Sequence, residues 1–257
     1  MADSQGAALK VADLSGRLGT LDAETINSVL EMLVEPLQSA LPQPTEVVLH
    51  DLRRVPNTVR AISGNVTGRQ VGDPPTDMLL EHVAQGRLEH EIGYASSLPD
   101  GRQLRCSTII FRDAGGAPAA ALCLNSDVSS WLTARSILDG FMLGNTNPAA
   151  LSAGAQAEGT TAAPGGSQLG GTSGSEYFPR SVDELASFLI RSAIDKTGVP
   201  VDLMRKEHKM RVVADLDARG YFLVKDATET IASALQVSRF TIYNYLNEIN
   251  EDSEQSG

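Results

Sequence analysis

The sequence contains little cysteine, little tryptophan and no long apolar run. Its 257 residues include two cysteines and one tryptophan, with neither a CxxC motif nor a cysteine–histidine cluster. These absences exclude a disulfide scaffold, argue against structural zinc and suit a reducing compartment. No apolar segment approaches the roughly 18–20 residues that a membrane-spanning helix requires. Residues 1–16 also lack a basic stretch followed by an apolar one, so we expect a cytoplasmic protein. The missing cysteine–histidine cluster predicts that the protein holds no metal.

An excess of positive charge is absent as well. The formal net charge is −11, which excludes an evenly basic coat for nucleic acid and restricts any such contact to a local patch. The motifs GxxxxGK[ST], GxSxG and HExxH do not occur, and a thiol enzyme built from Cys106 or Cys123 with His50 is the one catalytic alternative. We therefore expect a protein that is not an enzyme and has no cofactor.

Composition divides the chain into two bodies. Leu151 and Leu169 are the only large apolar residues between positions 144 and 176, and such a segment cannot bury enough surface to offset its ordering entropy. The predicted divisions are a flexible tail (1–20), an N-terminal body (21–143), a disordered linker (144–176), a C-terminal body (177–250) and a tail (251–257).

The N-terminal body has the pattern of an α+β domain. Hairpin signals such as Gly115-Gly116 dominate and βαβ alternation is missing, so the pattern predicts an antiparallel sheet with flanking helices. The C-terminal body reads as all-α. The predicted strands are 46–50, 58–62, 91–96, 103–111 and 119–125, and the predicted helices are 27–37, 76–85, 128–143, 182–197, 203–219, 227–235 and 238–249.

The stretch TETIASALQVSRFTIYNYLN (228–247) has the pattern of a helix-turn-helix. Ser238 is a natural N-cap for the second helix, and Gln236 stands where the turn favours a left-handed backbone, at a cost of about 1 kcal/mol for a non-glycine residue. The first turn of such a helix enters the major groove, where arginine can pair with guanine and asparagine with adenine. The DNA-binding candidates are Thr228, Ser238, Arg239, Phe240, Thr241, Tyr243, Asn244 and Asn247, with Arg239 and Asn244 reading bases.

Local charge favours this interpretation. Residues 203–247 carry seven basic and five acidic side chains within a strongly acidic chain. Because this excess is modest, affinity for double-stranded DNA should depend on a homodimer that reads a two-fold-related site. The alternative is a helical dimerisation or adaptor module that never contacts DNA.

Several motifs together resemble a known family. The runs VVLHDL, VTGRQVGDPPTD, DGRQLRCSTIIFRD and ALCLNSD, in this order, are similar to the YheO-like PAS domain, and IASALQVSRFTIYNYL resembles its accompanying helix-turn-helix. Asn65 stands where the family pattern usually has histidine. The resemblance implies a bacterial transcriptional regulator, in a family that includes repressors, with a sensory PAS domain. A haem- or flavin-binding PAS sensor is the alternative.

Polar residues in these motifs predict a site for a small polar effector, such as an amino-acid-like ligand. Arg69 or Arg105 could hold a carboxylate and Asp51 or Asp127 an amine. A turn at Asp73, a helix cap at Asp127 or an ion pair of Arg69 would explain the same residues structurally. The ligand-binding candidates are His50, Asp51, Asn65, Thr67, Arg69, Asp73, Arg105, Ser107, Asn125 and Asp127.

Overall fold

Five antiparallel strands form one sheet in the N-terminal body. The structure is a computed structural model that describes residues 21–142 and 176–255; the predicted tail at 1–20 and linker residues 144–175 lie outside them. The sheet order is β2-β1-β5-β4-β3, and each neighbouring pair is antiparallel. This confirms the predicted α+β class. The strands are β1 (Thr45–Asp51), β2 (Val59–Ser63), β3 (Glu91–Ser97), β4 (Gln103–Arg112) and β5 (Pro118–Asp127).

The two faces of the sheet have different chemistry because side chains alternate along each strand. One face is covered by α1 (Ala23–Ala40), whose Ile26 and Leu30 pack against Val47 and Leu49. The opposite face, which we call the polar face, carries buried hydrogen-bonding groups near its centre. It bears Glu46 and His50 of β1, Tyr94 and Ser96 of β3, Thr108 of β4 and Asn125 of β5.

Two further helices flank the sheet. Thr76 caps α2 (Asp77–Ala84) by accepting a hydrogen bond from the Leu79 amide at 3.2 Å. The Asp127 carboxylate accepts from the Ser129 amide at 3.0 Å where α3 (Ser129–Met142) begins, so it serves as a cap for that helix.

Helices alone build the described part of the C-terminal body, as the sequence pattern predicts. They are α4 (Val182–Thr197), α5 (Lys206–Ala218), α6 (Ala227–Ala234) and α7 (Arg239–Gln255), with short 3₁₀ turns at Val201–Leu203 and Tyr221–Leu223. Helix α5 begins three residues later than predicted because Met204 and Arg205 are extended and separate it from the first 3₁₀ turn. Across the ranges 21–142 and 176–255, no helix has the length and apolarity to span a bilayer.

The two bodies share a core. Leu80 of α2 is fully buried within the hydrophobic cluster of the C-terminal body, which also contains Leu216 and Tyr221. Around it, Gln85 Nε2 donates to the Ala218 carbonyl at 3.0 Å. Arg219 pairs with Asp77 at 3.4 Å. The linker composition gave no sign of this contact, since it depends on which side chains α2 presents.

Two glycines test this contact. Gly220 and Gly198 both have a left-handed backbone, but a Cβ at Gly220 would lie 2.7 Å from Ala84 Cβ, whereas a Cβ at Gly198 would meet nothing within 4 Å. We expect Gly198→Ala to lower the free energy of unfolding by about 1 kcal/mol, and Gly220→Ala by about 2–4 kcal/mol because it also forces α2 away. Denaturant unfolding of both variants measures the difference, and equal losses would contradict the shared core.

Candidate functional site

A helix-turn-helix is formed by α6, a turn at residues 235–238, and α7. Gln236 has φ +54°, the predicted left-handed backbone, and its side-chain amide donates to Asp202 Oδ1 at 2.8 Å. Ser238 Oγ accepts from the Thr241 amide at 3.1 Å, which confirms the predicted N-cap. Ala232, Leu235, Ile242 and other apolar residues of the two helices are buried, so the motif is fixed on the body behind it.

The outer face of α7 is open to solvent. Phe240 is 76% exposed, and Arg239 forms a 3.5 Å ion pair with Glu229 in which both side chains are exposed. The other predicted DNA-binding residues vary in exposure: Ser238, Tyr243, Asn244 and Asn247 are exposed, and Thr228 and Thr241 are half-buried. The arrangement presents aromatic, amide and guanidinium groups along the first three turns of one helix.

Glu46 organises the polar face of the sheet. Although fully buried, its carboxylate accepts hydrogen bonds from the amides of Val66 and Thr67, at 3.0 and 3.1 Å. The Thr67 hydroxyl donates at 2.7 Å and Asn125 Nδ2 at 3.3 Å. Four donors stabilise a carboxylate in a site that excludes water. The segment 64–69 is thereby fixed over the sheet.

Arg69 lies beside this carboxylate with only part of its hydrogen-bonding capacity used. It is 5% exposed, its Nη2 is 3.8 Å from Glu46 Oε1, and its Nε donates to Thr67 Oγ1 at 3.2 Å. Its Nη1 is buried without a hydrogen-bond partner. Such an unsatisfied donor on a buried charge is costly, so the guanidinium is poised for a further acceptor.

The buried histidine of the polar face is held neutral. His50 Nδ1 lies 2.8 Å from Thr58 Oγ1. Burial, reinforced by the charge of Arg69, lowers the pKa of His50 well below its ordinary value. Its neutral ring can therefore donate or accept a hydrogen bond without adding charge.

The two thiols are also buried. Burial raises the pKa of Cys123 to about 11, and the pKa of Cys106 is raised as well. A nucleophilic cysteine requires a lowered pKa, so neither thiol has that character.

Glu176 enters the polar face from outside the sheet. This residue closes the predicted linker, yet it is 8% exposed, and its Oε2 accepts from the Tyr94 hydroxyl at 3.1 Å. Burial raises the pKa of Glu176 to about 7, against the opposing effects of hydrogen bonding by Thr76 and Tyr94 and the charge of Arg69. The following residues continue the contact, because Phe178 lies under the Arg69 guanidinium at 5.3 Å.

The structure brings together only part of the predicted ligand set. His50, Thr67, Arg69 and Asn125 lie on or against the polar face. The remaining candidates lie elsewhere. Asp51 pairs with Arg53 and Arg60 on the other face; Asp73 accepts from the Gln70 amide in a turn; Arg105 and Ser107 face Gly93 on the other side of β4; Asp127 caps α3; and Asn65 is exposed.

Sequence reasoning missed Glu46, Tyr94, Ser96 and Thr108 of the polar face, and Thr76 and Glu176 beside it. Glu46 alternates with His50 along β1, so strand periodicity could have found it. Tyr94 carried no motif, and Thr76 lies in the run VTGRQVGDPPTD but was interpreted only as the start of a helix. Glu176 was assigned to the linker on composition. In the parts of the chain that the structure describes, no three His, Cys, Asp or Glu side chains are grouped to hold a metal ion.

Comparisons with known proteins bear on both parts. Residues 22–143 match the model of the YheO-like PAS domain, and residues 185–247 match an HTH domain. The chain is 30% identical over 211 residues to the transcriptional regulator DauR of Pseudomonas aeruginosa, covering 81% of this chain and 87% of DauR. It is 25% identical to an uncharacterized protein of Haemophilus influenzae (91% and 95% covered) and 23% identical to the uncharacterized protein YheO of Escherichia coli K12 (88% and 85%). No solved structure gives a significant match.

Fold, helix-turn-helix and comparisons together define a DNA-binding transcriptional regulator with an N-terminal PAS domain. The chain belongs to the family of YheO-like PAS regulators with a C-terminal helix-turn-helix, as its motifs predict.

The burial of Glu176 predicts a pH dependence. Because its pKa is raised from 4.5 to about 7, the docked position favours the protonated carboxyl. The contact between the segment that carries Glu176 and the polar face should be most stable below about pH 4.5. It should weaken, by at most about 3 kcal/mol, as the pH rises to about 7. Hydrogen exchange of the Tyr177 amide, which donates to Asp77 Oδ1 at 2.7 Å, reports this once corrected for intrinsic rates.

Glu176→Gln supplies the control, since an amide fills the same space without titrating there. Arg69, Asp77 and Tyr94 also face Glu176 and remain in this variant. We expect protection to fall with pH more steeply in the wild type than in the variant. Identical pH profiles would show that Glu176 does not titrate in the docked state.

Proposed function

We propose that this regulator is a cytoplasmic repressor that binds operator DNA as a homodimer and responds to a small polar, amino-acid-like effector. The observation that carries the DNA-binding part is the exposed face of α7, whose first turn is capped by Ser238. Within that face, Arg239 and Asn244 are the proposed base-reading residues, and Ser238 and Tyr243 are proposed phosphate contacts or caps.

The side chains of α7 suit this role. The ion pair of Arg239 with Glu229 is exposed on both sides, and such pairs contribute roughly 0–1 kcal/mol. The guanidinium can therefore leave Glu229 for a guanine at small cost. Phe240, which has little apolar contact within the chain, suits the methyl group of thymine. An adaptor that binds protein instead of DNA would not depend on Arg239 and Asn244.

Helix α3 supports a homodimer. All its side chains are exposed or nearly so, although Trp131, Leu138 and Phe141 are apolar. These three and Ala134 follow the 3-4-3 spacing of a two-helix seam, so α3 offers a self-complementary stripe. A helix that exposes such a stripe requires a partner. A second copy of α3 satisfies it and joins two helix-turn-helix units, as a two-fold-related operator requires.

The polar face supports an effector site in the PAS domain. It combines a buried guanidinium with an unused donor, a neutral histidine and several hydroxyl groups. Such groups suit a small polar molecule. The alternative, a haem or flavin sensor, predicts a coloured protein, which an ultraviolet–visible spectrum would reveal. The proposal that transcription is repressed rests on the family resemblance, which includes repressors.

Replacement of Arg239 tests the DNA contact. Selection of genomic fragments by the purified protein, at one stated salt concentration, should enrich a two-fold-related sequence. Arg239→Ala should weaken specific binding by about 1–3 kcal/mol and relax the preference at one position in each half-site. Arg191→Ala is the matched control, because Arg191 is an exposed arginine on α4, away from α7.

The pattern of loss separates the possible roles. Weakening that is uniform across all sequences would reassign Arg239 to a phosphate contact. Unchanged selection by Arg239→Ala, or no enrichment by the wild type with and without an amino-acid panel, would favour the adaptor.

The single tryptophan tests the dimer. Trp131 is the only tryptophan of the chain and is 68% exposed in one copy, so pairing of α3 should shift its emission to shorter wavelength. Dilution through the dissociation range should reverse the shift. Leu138→Glu should give a monomer in sedimentation and red-shifted emission in fluorescence. Leu203→Glu, at a leucine of the C-terminal body that is also largely exposed, should do neither. A monomeric wild type at micromolar concentration would contradict the proposal.

A further inference from the structure

The carboxyl group of Glu176 is buried, although a connecting segment could run along the surface without burying it. The residue lies at the start of the described C-terminal segment, yet its carboxyl group is buried on the polar face of the N-terminal body. Taking a carboxyl group out of water is unfavourable unless partners compensate for the lost hydration. We call the space around this carboxyl group, lined by Arg69, Thr76 and Tyr94, the carboxylate seat.

The seat contains donors suited to a carboxylate. The Tyr94 hydroxyl donates to Glu176 Oε2 at 3.1 Å. The Thr76 hydroxyl, which accepts from the Leu79 amide, also faces Glu176 and acts to lower the pKa of its carboxyl group. The guanidinium of Arg69 supplies positive charge. A hydroxyl donor and the charge of a buried guanidinium are chemistry that recognises an organic carboxyl group.

Glu176 does not use the seat fully. The ion pair of Arg69 is with Glu46, and Arg69 Nη1 has no hydrogen-bond partner. Ser96 Oγ, on the same face of β3 as Tyr94, is also buried without a partner. Unsatisfied buried donors are rare and costly in folded proteins. A free carboxylate carrying further polar groups could engage donors that a chain-bound glutamate leaves unused.

The segment that carries Glu176 also holds the two bodies together. The next residue, Tyr177, donates its amide to Asp77 Oδ1 of α2, and its ring stacks on Phe188 of α4 at 4.0 Å between centroids. Asp77 in turn pairs with Arg219 of the C-terminal body. Withdrawal of Glu176 therefore removes the anchor next to this network.

We propose that the carboxylate seat is part of the effector site, and that Glu176 is its internal occupant. A small organic carboxylate takes the place of the Glu176 carboxyl group and frees residues 176–178 from α2 and α4. Effector binding and docking of the C-terminal body at this segment then oppose each other, which is the reciprocal coupling that a ligand-responsive regulator requires. The inference rests on the proposed function for the ligand class, but the seat can be tested without DNA.

Chemical rescue tests the seat. Glu176→Ala removes the CH₂ and carboxyl groups beyond Cβ, which together correspond to acetate. In tens of millimolar sodium acetate at about pH 5, where part of the acetate carries the proton that this position favours, the thermal midpoint of this variant should rise saturably by a few degrees. The reason is that a ligand that binds only the folded state stabilises it. Acetamide and sodium chloride at matched concentrations should have smaller effects, since they lack the carboxylate or the shape.

Matched variants define the outcome. Glu176→Gln and the wild type fill the seat and should not respond to acetate beyond the salt effect. Arg69→Gln in the Glu176→Ala background should abolish the response. If Glu176→Ala unfolds in buffer alone, recovery of its circular dichroism by acetate but not by acetamide is the supporting result. Equal effects of acetate and acetamide, or equal effects of acetate on the Glu176→Ala variant and the wild type, would overturn the proposal.

A second measurement addresses displacement. Glu176→Ala should reduce exchange protection of the Tyr177 amide relative to Glu176→Gln and should change operator affinity by about five-fold or more. If acetate rescues the variant while protection and operator affinity equal those of Glu176→Gln, the site stands and the displacement step is refuted. If no variant, including the wild type, binds DNA, the proposed function fails while the acetate result still decides the seat.

Discussion

The burial of Leu80 in the core of the C-terminal body is the contact on which the rest of the arrangement depends. A leucine of the PAS domain that is fully enclosed by helices of the DNA-binding domain gives the two domains a common apolar core. The polar contacts around it, from Gln85 to Ala218 and from Asp77 to Arg219, then acquire fixed geometry. Without that burial they would be exposed interactions of little energetic value. The helix-turn-helix is therefore connected to the PAS domain through packing as well as through the chain.

The polar face of the sheet is the second unusual feature, because a sheet face packed against other elements is normally apolar. Here a carboxylate, a guanidinium and an imidazole are buried, in Glu46, Arg69 and His50. Glu46 is satisfied by four donors, whereas Arg69 retains an unused one. Local departures from the rules of core packing concentrate at functional sites. The contrast between these two neighbours is the observation on which the proposed effector site depends.

Much of the fold follows from the sequence, and the reasons are local. Alternation and glycine-rich turns predict all five strands to within a few residues, and the left-handed Gln236 and the Ser238 cap follow from turn and cap chemistry. The site is less predictable because it depends on long-range packing. Asp51 and His50 are adjacent in sequence but lie on opposite faces of β1. Glu176 closes a segment whose composition gives no sign of burial. The side chains that meet on the polar face come from β1, β3, β4, β5, two loops and the C-terminal segment.

The position of Glu176 within the same chain has a consequence for sensitivity. An occupant that belongs to the same chain as its site acts at an effective concentration that is independent of how much protein the cell makes. A free ligand that competes with Glu176 must exceed this effective concentration or make additional contacts. The unused donor of Arg69 offers such a contact, so the response threshold would be set by the difference between two occupants rather than by the affinity of one.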